Sequence, residues 1–144
     1  MNIAICCDHG GLQLKQQIAT YLQQKGYCVV DFGTNSLESC DYPDFAHKAA
    51  DAIASGRCQF GVFVCTTGIG VSMVANKTKG VRCALCTNVD MATLTRQHNN
   101  ANAIAFGQKY VSFPLAQQML DAFLSAEFLG GRHAIRVAKI ETEE

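Results

Sequence analysis

Short continuous apolar runs alternate with amphipathic stretches from one end of this chain to the other. The runs at 3–7, 27–32, 60–65, 81–86 and 103–106 are unbroken and rich in β-branched residues or cysteine. That is the pattern of strands buried on both faces, not of strands with one wet side. Between the first two runs, Leu14, Ile18, Tyr21 and Leu22 recur at helical spacing, and Gly26 stands where a helix would stop. Ala46, Ala49, Ala50 and Ile53 make a second stripe behind Pro43, a residue suited to the first turn of a helix. A third helix is expected from near Gly68 or Gly70 to about Lys77, and a fourth from Asn88 to about His98. Ala116, Met119, Leu120 and Phe123 mark a fifth, and a last helix starting near Gly131 carries Arg132, His133 and Arg136.

Strand–helix alternation implies right-handed crossovers and a parallel sheet covered on both sides. The expected fold is α/β: a doubly wound, five-stranded parallel sheet in a Rossmann- or flavodoxin-like three-layer sandwich, with an extra C-terminal helix and one domain over 1–144. Ligands bind such sheets beyond the carboxyl ends of the strands. That rule selects the segments 8–11, 33–43, 66–70 and the stretch around His98.

The formal net charge of this 144-residue chain is zero. Nothing in that balance favours nucleic acid or an anionic membrane, so any anion must be bound by locally gathered charge. The eight cysteines would suggest a disulfide framework in a secreted protein. Here, however, the first residues lack a basic region, their apolar run is too short for a signal peptide, and several cysteines sit inside strand-like runs where a thiol acts as a small hydrophobe. A reducing, cytoplasmic setting is expected. No apolar stretch approaches the roughly 18 residues of a membrane helix.

The segment Cys65-Thr66-Thr67-Gly68-Ile69-Gly70-Val71-Ser72 carries the most chemistry. A cysteine ends a buried strand, and a glycine-containing loop then opens a helix. Glycines let backbone N–H groups approach an anion closely, and a helix start favours negative charge, thiolates included. The same N–H groups suit a developing oxyanion. One segment thus offers a base together with oxyanion donors. Rival motifs fail on particular residues. Met73 replaces the third glycine of a dinucleotide loop, no Gly-Lys-Ser/Thr forms a P-loop, Val71 stands where a cysteine phosphatase carries arginine, and Cys65 stands where a receiver domain carries aspartate.

Asp8-His9-Gly10-Gly11 follows the first strand and pairs a carboxylate with an imidazole, either a polar turn or groups able to open a sugar ring or hold phosphate. His98-Asn99-Asn100-Ala101-Asn102 is a helix stop or a second polar contributor. Arg132 and Arg136, four apart, share a helix face that is either solvated or fit for a phosphate dianion. Cys83 and Cys86 have redox spacing, but on a strand they point to opposite sides.

Taken in order along the chain, these residues resemble the type B ribose-5-phosphate isomerases, a family that also includes allose-6-phosphate isomerases and galactose-6-phosphate isomerase subunits. The resemblance rests on Asp8-His9-Gly10, Asp41-Tyr42-Pro43, the 65–72 loop with Ala75-Asn76-Lys77, Arg96-Gln97-His98-Asn99, Asn102, Phe106-Gly107, and Gly130-Gly131-Arg132-His133 with Arg136. It implies that Cys65 moves a proton between C2 and C1 of a sugar phosphate through a cis-enediolate. Thr67 and the backbone of Thr66, Gly68, Ile69 and Gly70 would support the enediolate oxygens, and Asp8 and His98 would open the furanose ring. By the same resemblance His9, Arg132 and Arg136 bind phosphate, Tyr42 and Asn99 orient the sugar, and no cofactor or metal takes part. The chain would form a homodimer, or a tetramer, with His98 and Asn99 serving the neighbour's Cys65. Its place would be the non-oxidative branch of the pentose phosphate pathway.

Some members carry a glutamate base where Val71 stands, which makes this the cysteine type. Most relatives have glycine in place of Thr66, and many have arginine in place of Lys109. Both departures bear on sugar preference, with allose 6-phosphate or another hexose 6-phosphate as the competing substrate. Phosphotransfer through Cys6 or Cys7, or sugar-phosphate binding by a subunit without catalysis, would be different functions for the same chain.

Overall fold

In the computed structural model, which describes residues 1–141, the alternation becomes a sheet between two helical layers; residues 142–144 of the expected domain lie outside the described residues. Strand β1 (Asn2–Cys7) leads through a 3-10 turn (His9–Gly11) into α1 (Leu12–Gln24), followed by β2 (Cys28–Asp31) and α2 (Tyr42–Ala54). Then come β3 (Phe60–Cys65), α3 (Ile69–Ala75), β4 (Cys83–Leu85), α4 (Val89–Asn99), β5 (Ala103–Gly107), α5 (Phe113–Ser125) and α6 (Arg132–Ala138). The expected strands at 27–32 and 81–86 are shorter than their apolar runs. The flanking residues of both lie outside the regular ladder, at the sheet edges where a ladder partner exists on one side only.

All four strand pairings are parallel, in the order β2-β1-β3-β5-β4. A flavodoxin-like order places β4 beside β3; here β5 takes that place and β4 forms the edge. Burial explains the exchange. Every residue of β5 is buried, as a strand flanked on both sides requires, whereas the three residues of β4 are only half-buried. Short strands suit edges.

Alternate side chains feed two cores. Ile3, Ile5, Cys7, Val62, Val64, Ile104 and Phe106 face α1, α4 and α5. Ala4, Cys6, Phe63, Cys65, Ala103 and Ala105 face α2 and α3. The second layer is built from small residues: Ala46, Ala49 and Ala50 of α2 are fully buried against sheet alanines, so helix and sheet backbones lie close and Phe63 fills the remaining depth. Helix starts are capped locally, with Asn88 accepting from the Met91 N–H and Ser112 from the Leu115 N–H. Asn100 closes α4 at a φ of 46°, a left-handed conformation that asparagine tolerates. Helix α6 lies along α4. No helix among the described residues is long and apolar enough to cross a membrane.

Candidate active site

Cys65 is the last residue of β3, only 5% exposed, at the carboxyl edge of the sheet. The chain turns sharply after it. Gly68 adopts a φ of 78°, and its N–H donates back to Cys65 Sγ at 3.1 Å. The Thr67 hydroxyl accepts from the Ile69 N–H at 3.2 Å, and Ser72 Oγ donates to the Ile69 carbonyl at 2.7 Å. The loop is seated on the continuation of β5: Gln108 N–H donates to the Cys65 carbonyl at 2.9 Å and Lys109 N–H to the Thr66 carbonyl at 3.0 Å. Lys109 therefore borders the loop through its backbone while its side chain stays exposed. Glycine is required at two contacts here. A Cβ on Gly68 would sit 2.8 Å from the Phe106 carbonyl carbon, and one on Gly107 would meet the Thr67 carbonyl oxygen at 2.5 Å.

Three further groups surround this loop. Asp8 follows β1, is 7% exposed, and its Oδ1 accepts from the Gly10 N–H at 2.9 Å. Gly10 in turn packs under the Thr66 side chain, with no room for a methyl. A glycine at position 66 would leave that space open, so Thr66 narrows the gap between the two loops. The backbone N–H of Cys40 donates to His9 Nδ1 at 3.2 Å, which leaves the proton on Nε2 and makes that nitrogen a donor. Tyr42 opens α2 and lays its ring over Gly70, where an added Cβ would fall 2.7 Å from Cζ. Asp8, His9, Tyr42 and the 65–70 loop therefore converge at one end of the sheet.

The stretch around His98 does not join them. Helix α4 runs antiparallel to the strands, so its C-terminus lies at the amino edge of the sheet, roughly 17 Å away along the six residues of β3. Selection of the stretch around His98 together with the carboxyl-edge loops is corrected accordingly, whereas service to a neighbouring copy's Cys65 is compatible with this position. At the amino edge the His98 ring stacks on His133, with centroids 4.2 Å apart and the two planes nearly parallel. His98, Asn99, His133 and Arg136 line a cavity of about 290 Å³, and Arg132 begins the same helix as Arg136. His133 is held below the ordinary imidazole range by partial desolvation and by His98, Arg132 and Arg136. This cluster is cationic and open, which suits a dianion.

Two arginines and an asparagine organise these groups, and of the three only Arg82 lies outside the motifs quoted for the resemblance. Arg82 donates to the carbonyls of Asn99 (3.1 Å) and Asn100 (2.8 Å), and Arg96 to that of Ala101 (2.6 Å), so two arginines tie down the end of α4. The Arg96 guanidinium sits 5.1 Å from the Phe60 ring centroid and 5.8 Å from that of Phe123. Burial, then the nearby Arg82, lowers its proton affinity. The matching pair of Asn76 and Cys83 (Asn76 Oδ1 from the Cys83 N–H, 2.8 Å) fixes the end of α3 to β4.

The remaining cysteines are packing residues. Cys6 and Cys7 are fully buried. Burial pushes the Cys6 thiol up strongly and Cys7 up to about 12, which leaves neither fit for phosphoryl transfer. Cys83 faces the α2–α3 core and Cys86 the other, the opposite orientation expected of residues three apart on a strand.

Comparison with known proteins agrees with this fold. A family model described as Ribose/Galactose Isomerase matches residues 3–140. Ribose-5-phosphate isomerase B of Escherichia coli (strain K12) is 44% identical over 143 residues, 99% of this chain and 96% of that protein. The structure of ribose-5-phosphate isomerase B from Clostridium thermocellum superposes with a TM-score of 0.96 at 52% identity, over 97% of this chain and 95% of that one. The Mycoplasma genitalium enzyme with bound ribulose 5-phosphate superposes with a TM-score of 0.92 at 43% identity, over 96% and 93%.

Proposed function

This chain belongs to the ribose/galactose isomerase family, and from that membership we propose that it interconverts ribose 5-phosphate and ribulose 5-phosphate with Cys65 as the proton carrier. The observation that carries the reading is the setting of Cys65: a nearly buried sulfur on the floor of a loop whose Gly68 N–H points at it, ringed by Asp8, His9 and Tyr42. Val71, where a glutamate base would stand, is fully buried and apolar.

The thiolate removes the C2 proton. The C2–H electrons form the C1=C2 bond of a cis-enediolate, and the aldehyde oxygen O1 takes up the charge. Two of the four N–H groups that a helix start leaves without intrahelical acceptors are used within the loop, by Cys65 Sγ and Thr67 Oγ1. Those of Gly70 and Val71 remain to receive the enediolate oxygens. The same sulfur returns the proton to C1 while the O2 hydroxyl's proton passes to O1, so that C2 becomes the carbonyl and O1 the hydroxyl of the ketose. Asp8 Oδ2, the oxygen not engaged by Gly10, exchanges protons with the ring oxygen or anomeric hydroxyl during ring opening. His9 Nε2 donates to phosphate. The route calls on no cofactor or metal.

Phosphate binding (Arg132, Arg136), ring opening (His98) and orientation of the sugar (Asn99) also draw on groups that stand at the other edge of the sheet. The proposal therefore includes a homodimer in which these four groups of one copy face Cys65 of the other. Exposed apolar side chains flank both halves, Ile69 and Met73 beside the loop and Ile135 and Ile140 beside the arginines, as a shared apolar contact requires. The reading extends to a single 1–144 domain acting in the cytoplasm, in the non-oxidative branch of the pentose phosphate pathway.

The test is turnover by purified protein on ribose, allose and galactose phosphates in deuterated water. The expected result is ribulose 5-phosphate formation, deuterium entry at C2 of recovered substrate, persistence of both with a chelator, and loss of both in a folded Cys65→Ala variant. Near-normal kcat in that variant contradicts the assignment of the base. Turnover of a hexose phosphate in preference to ribose 5-phosphate reassigns the substrate.

A further inference from the structure

Lys15 is fully buried on α1, the one lysine of the described residues in that state. A buried ammonium costs several kcal/mol unless its protons are all received. Here all three are: by Asp31 Oδ2 at 2.7 Å, the Thr34 carbonyl at 2.8 Å and Asn35 Oδ1 at 2.7 Å. The acceptors belong to one segment, the root of the loop between β2 and α2. That root is also stitched to the end of β1, because the Cys7 N–H donates to the Gly33 carbonyl at 2.7 Å and the Thr34 N–H to the Cys7 carbonyl at 2.8 Å. Asp8 and His9 follow at once. Beyond the root, positions 36–39 are exposed, and the loop is fixed again only at Cys40, whose N–H is the donor that sets the His9 tautomer.

We propose that Lys15 is a positioning residue for the isomerisation, acting through this loop on His9. The loop has two anchors, the ammonium at its root and the imidazole at its tip. If the root moves, the Cys40 N–H leaves Nδ1, the ring loses its fixed Nε2–H form, and phosphate loses a preset donor. The inference rests on the isomerase reading for its kinetic arm only.

Lys15→Met keeps length and apolar bulk while removing the charge. Asp31 then stays partly exposed and still accepts from the Gly33 N–H at 2.8 Å. A phosphate donor binds ground and transition states alike, so the expected result is a KM for ribose 5-phosphate raised about tenfold with kcat nearly unchanged. Inorganic phosphate should inhibit correspondingly less well. Nitrogen NMR of the His9 ring should change from a single Nε2–H tautomer to a mixture. Simple loosening of the fold would instead lower the active fraction, with kcat falling and KM and tautomer unmoved; that result overturns the proposal. Should Lys15→Met fail to fold, Asn35→Ala removes one exposed acceptor and decides the matter. A smaller shift in the same direction supports the proposal, and an unchanged KM and tautomer overturn it. An inactive wild-type protein would refute the isomerase reading, while the NMR arm still judges the role of Lys15.

Discussion

Substitution of Gly68 by alanine puts the reasoning about the loop to quantitative test, with Gly80→Ala as its control. Both glycines have positive φ, 78° and 89°, so both alanines bear the left-handed penalty of about 1–2 kcal/mol. They differ in space. Around Gly80 an added Cβ meets nothing within 4 Å, whereas at Gly68 it falls 2.6 Å from Leu85 Cδ1, 2.8 Å from the Phe106 carbonyl carbon and 2.9 Å from the Gly107 nitrogen. Leucine can swing aside; the β5 backbone cannot. Overpacking of that kind adds about 1–3 kcal/mol. Gly80→Ala should therefore lower Tm slightly, and Gly68→Ala should lower it further, at about 3–4 °C per kcal/mol for a domain of this size. The functional difference should be larger. Relief of the overlap lifts the loop and carries the Gly68 N–H away from Cys65 Sγ, so kcat should fall about 100-fold, the scale of one lost oxyanion-type donor. Gly80→Ala should keep its kcat. Calorimetry and steady-state rates on the two variants side by side provide the comparison. Equal Tm losses, or a Gly68→Ala enzyme with normal kcat, would refute the claim that β5 wedges the loop against the sulfur.

Protonation offers another check. His133 sits below its ordinary value of 6.5 in the folded chain, so as pH falls through that range the unfolded chain takes up a proton that the folded chain resists, and stability is lost. His133→Gln should shrink the Tm drop between about pH 7.5 and pH 5.5, and an unchanged drop would contradict the assignment. Burial raises Cys6, Cys7 and Cys86, the last to about 11. Iodoacetamide at mildly alkaline pH should therefore leave these three unmodified in the folded protein and label them once it is unfolded, as read by peptide mass spectrometry; comparable labelling in both states would contradict the burial argument. Arg96→Leu strips the Ala101 carbonyl of its 2.6 Å donor and should cost about 1–3 kcal/mol in denaturant unfolding. A cost near zero would show that the end of α4 holds without it.

The pattern of apolar runs was enough to locate every strand and every long helix, because strands buried on both faces cannot hide their composition. It was not enough to order them. β4 and β5 are both short and apolar, and only the difference in burial, visible once the sheet is assembled, separates centre from edge. The carboxyl-edge groups were legible for a local reason: Asp8 and His9 follow β1 directly, and Cys65 and its loop follow β3 directly. The strand-end rule grouped His98 with the carboxyl-edge loops although its position, at the C-terminus of a crossover helix, dictates the opposite edge; only the family resemblance assigned it to a neighbouring copy. Lys15 carried a usable signal. It falls three residues after Leu12 and three before Ile18, on the buried stripe of α1, where a charged residue demands an explanation. Arg82 carried none, and Arg96 was visible only as part of the 96–99 motif, since nothing in the chain tells which carbonyls the two will reach.

With Cys65 at one edge of the sheet and His98 at the other, neither copy alone should hold a complete site. Mixing Cys65→Ala with His98→Ala subunits, each inactive by itself, tests this directly once exchange between copies is verified by tagged pull-down. Random re-pairing puts both defects into one site of each mixed dimer and none into the other, so activity should return to roughly a quarter of wild type. If verified mixed dimers stay as inactive as their parents, the sulfur and the imidazole do not meet across two chains, and the proposed site is wrong.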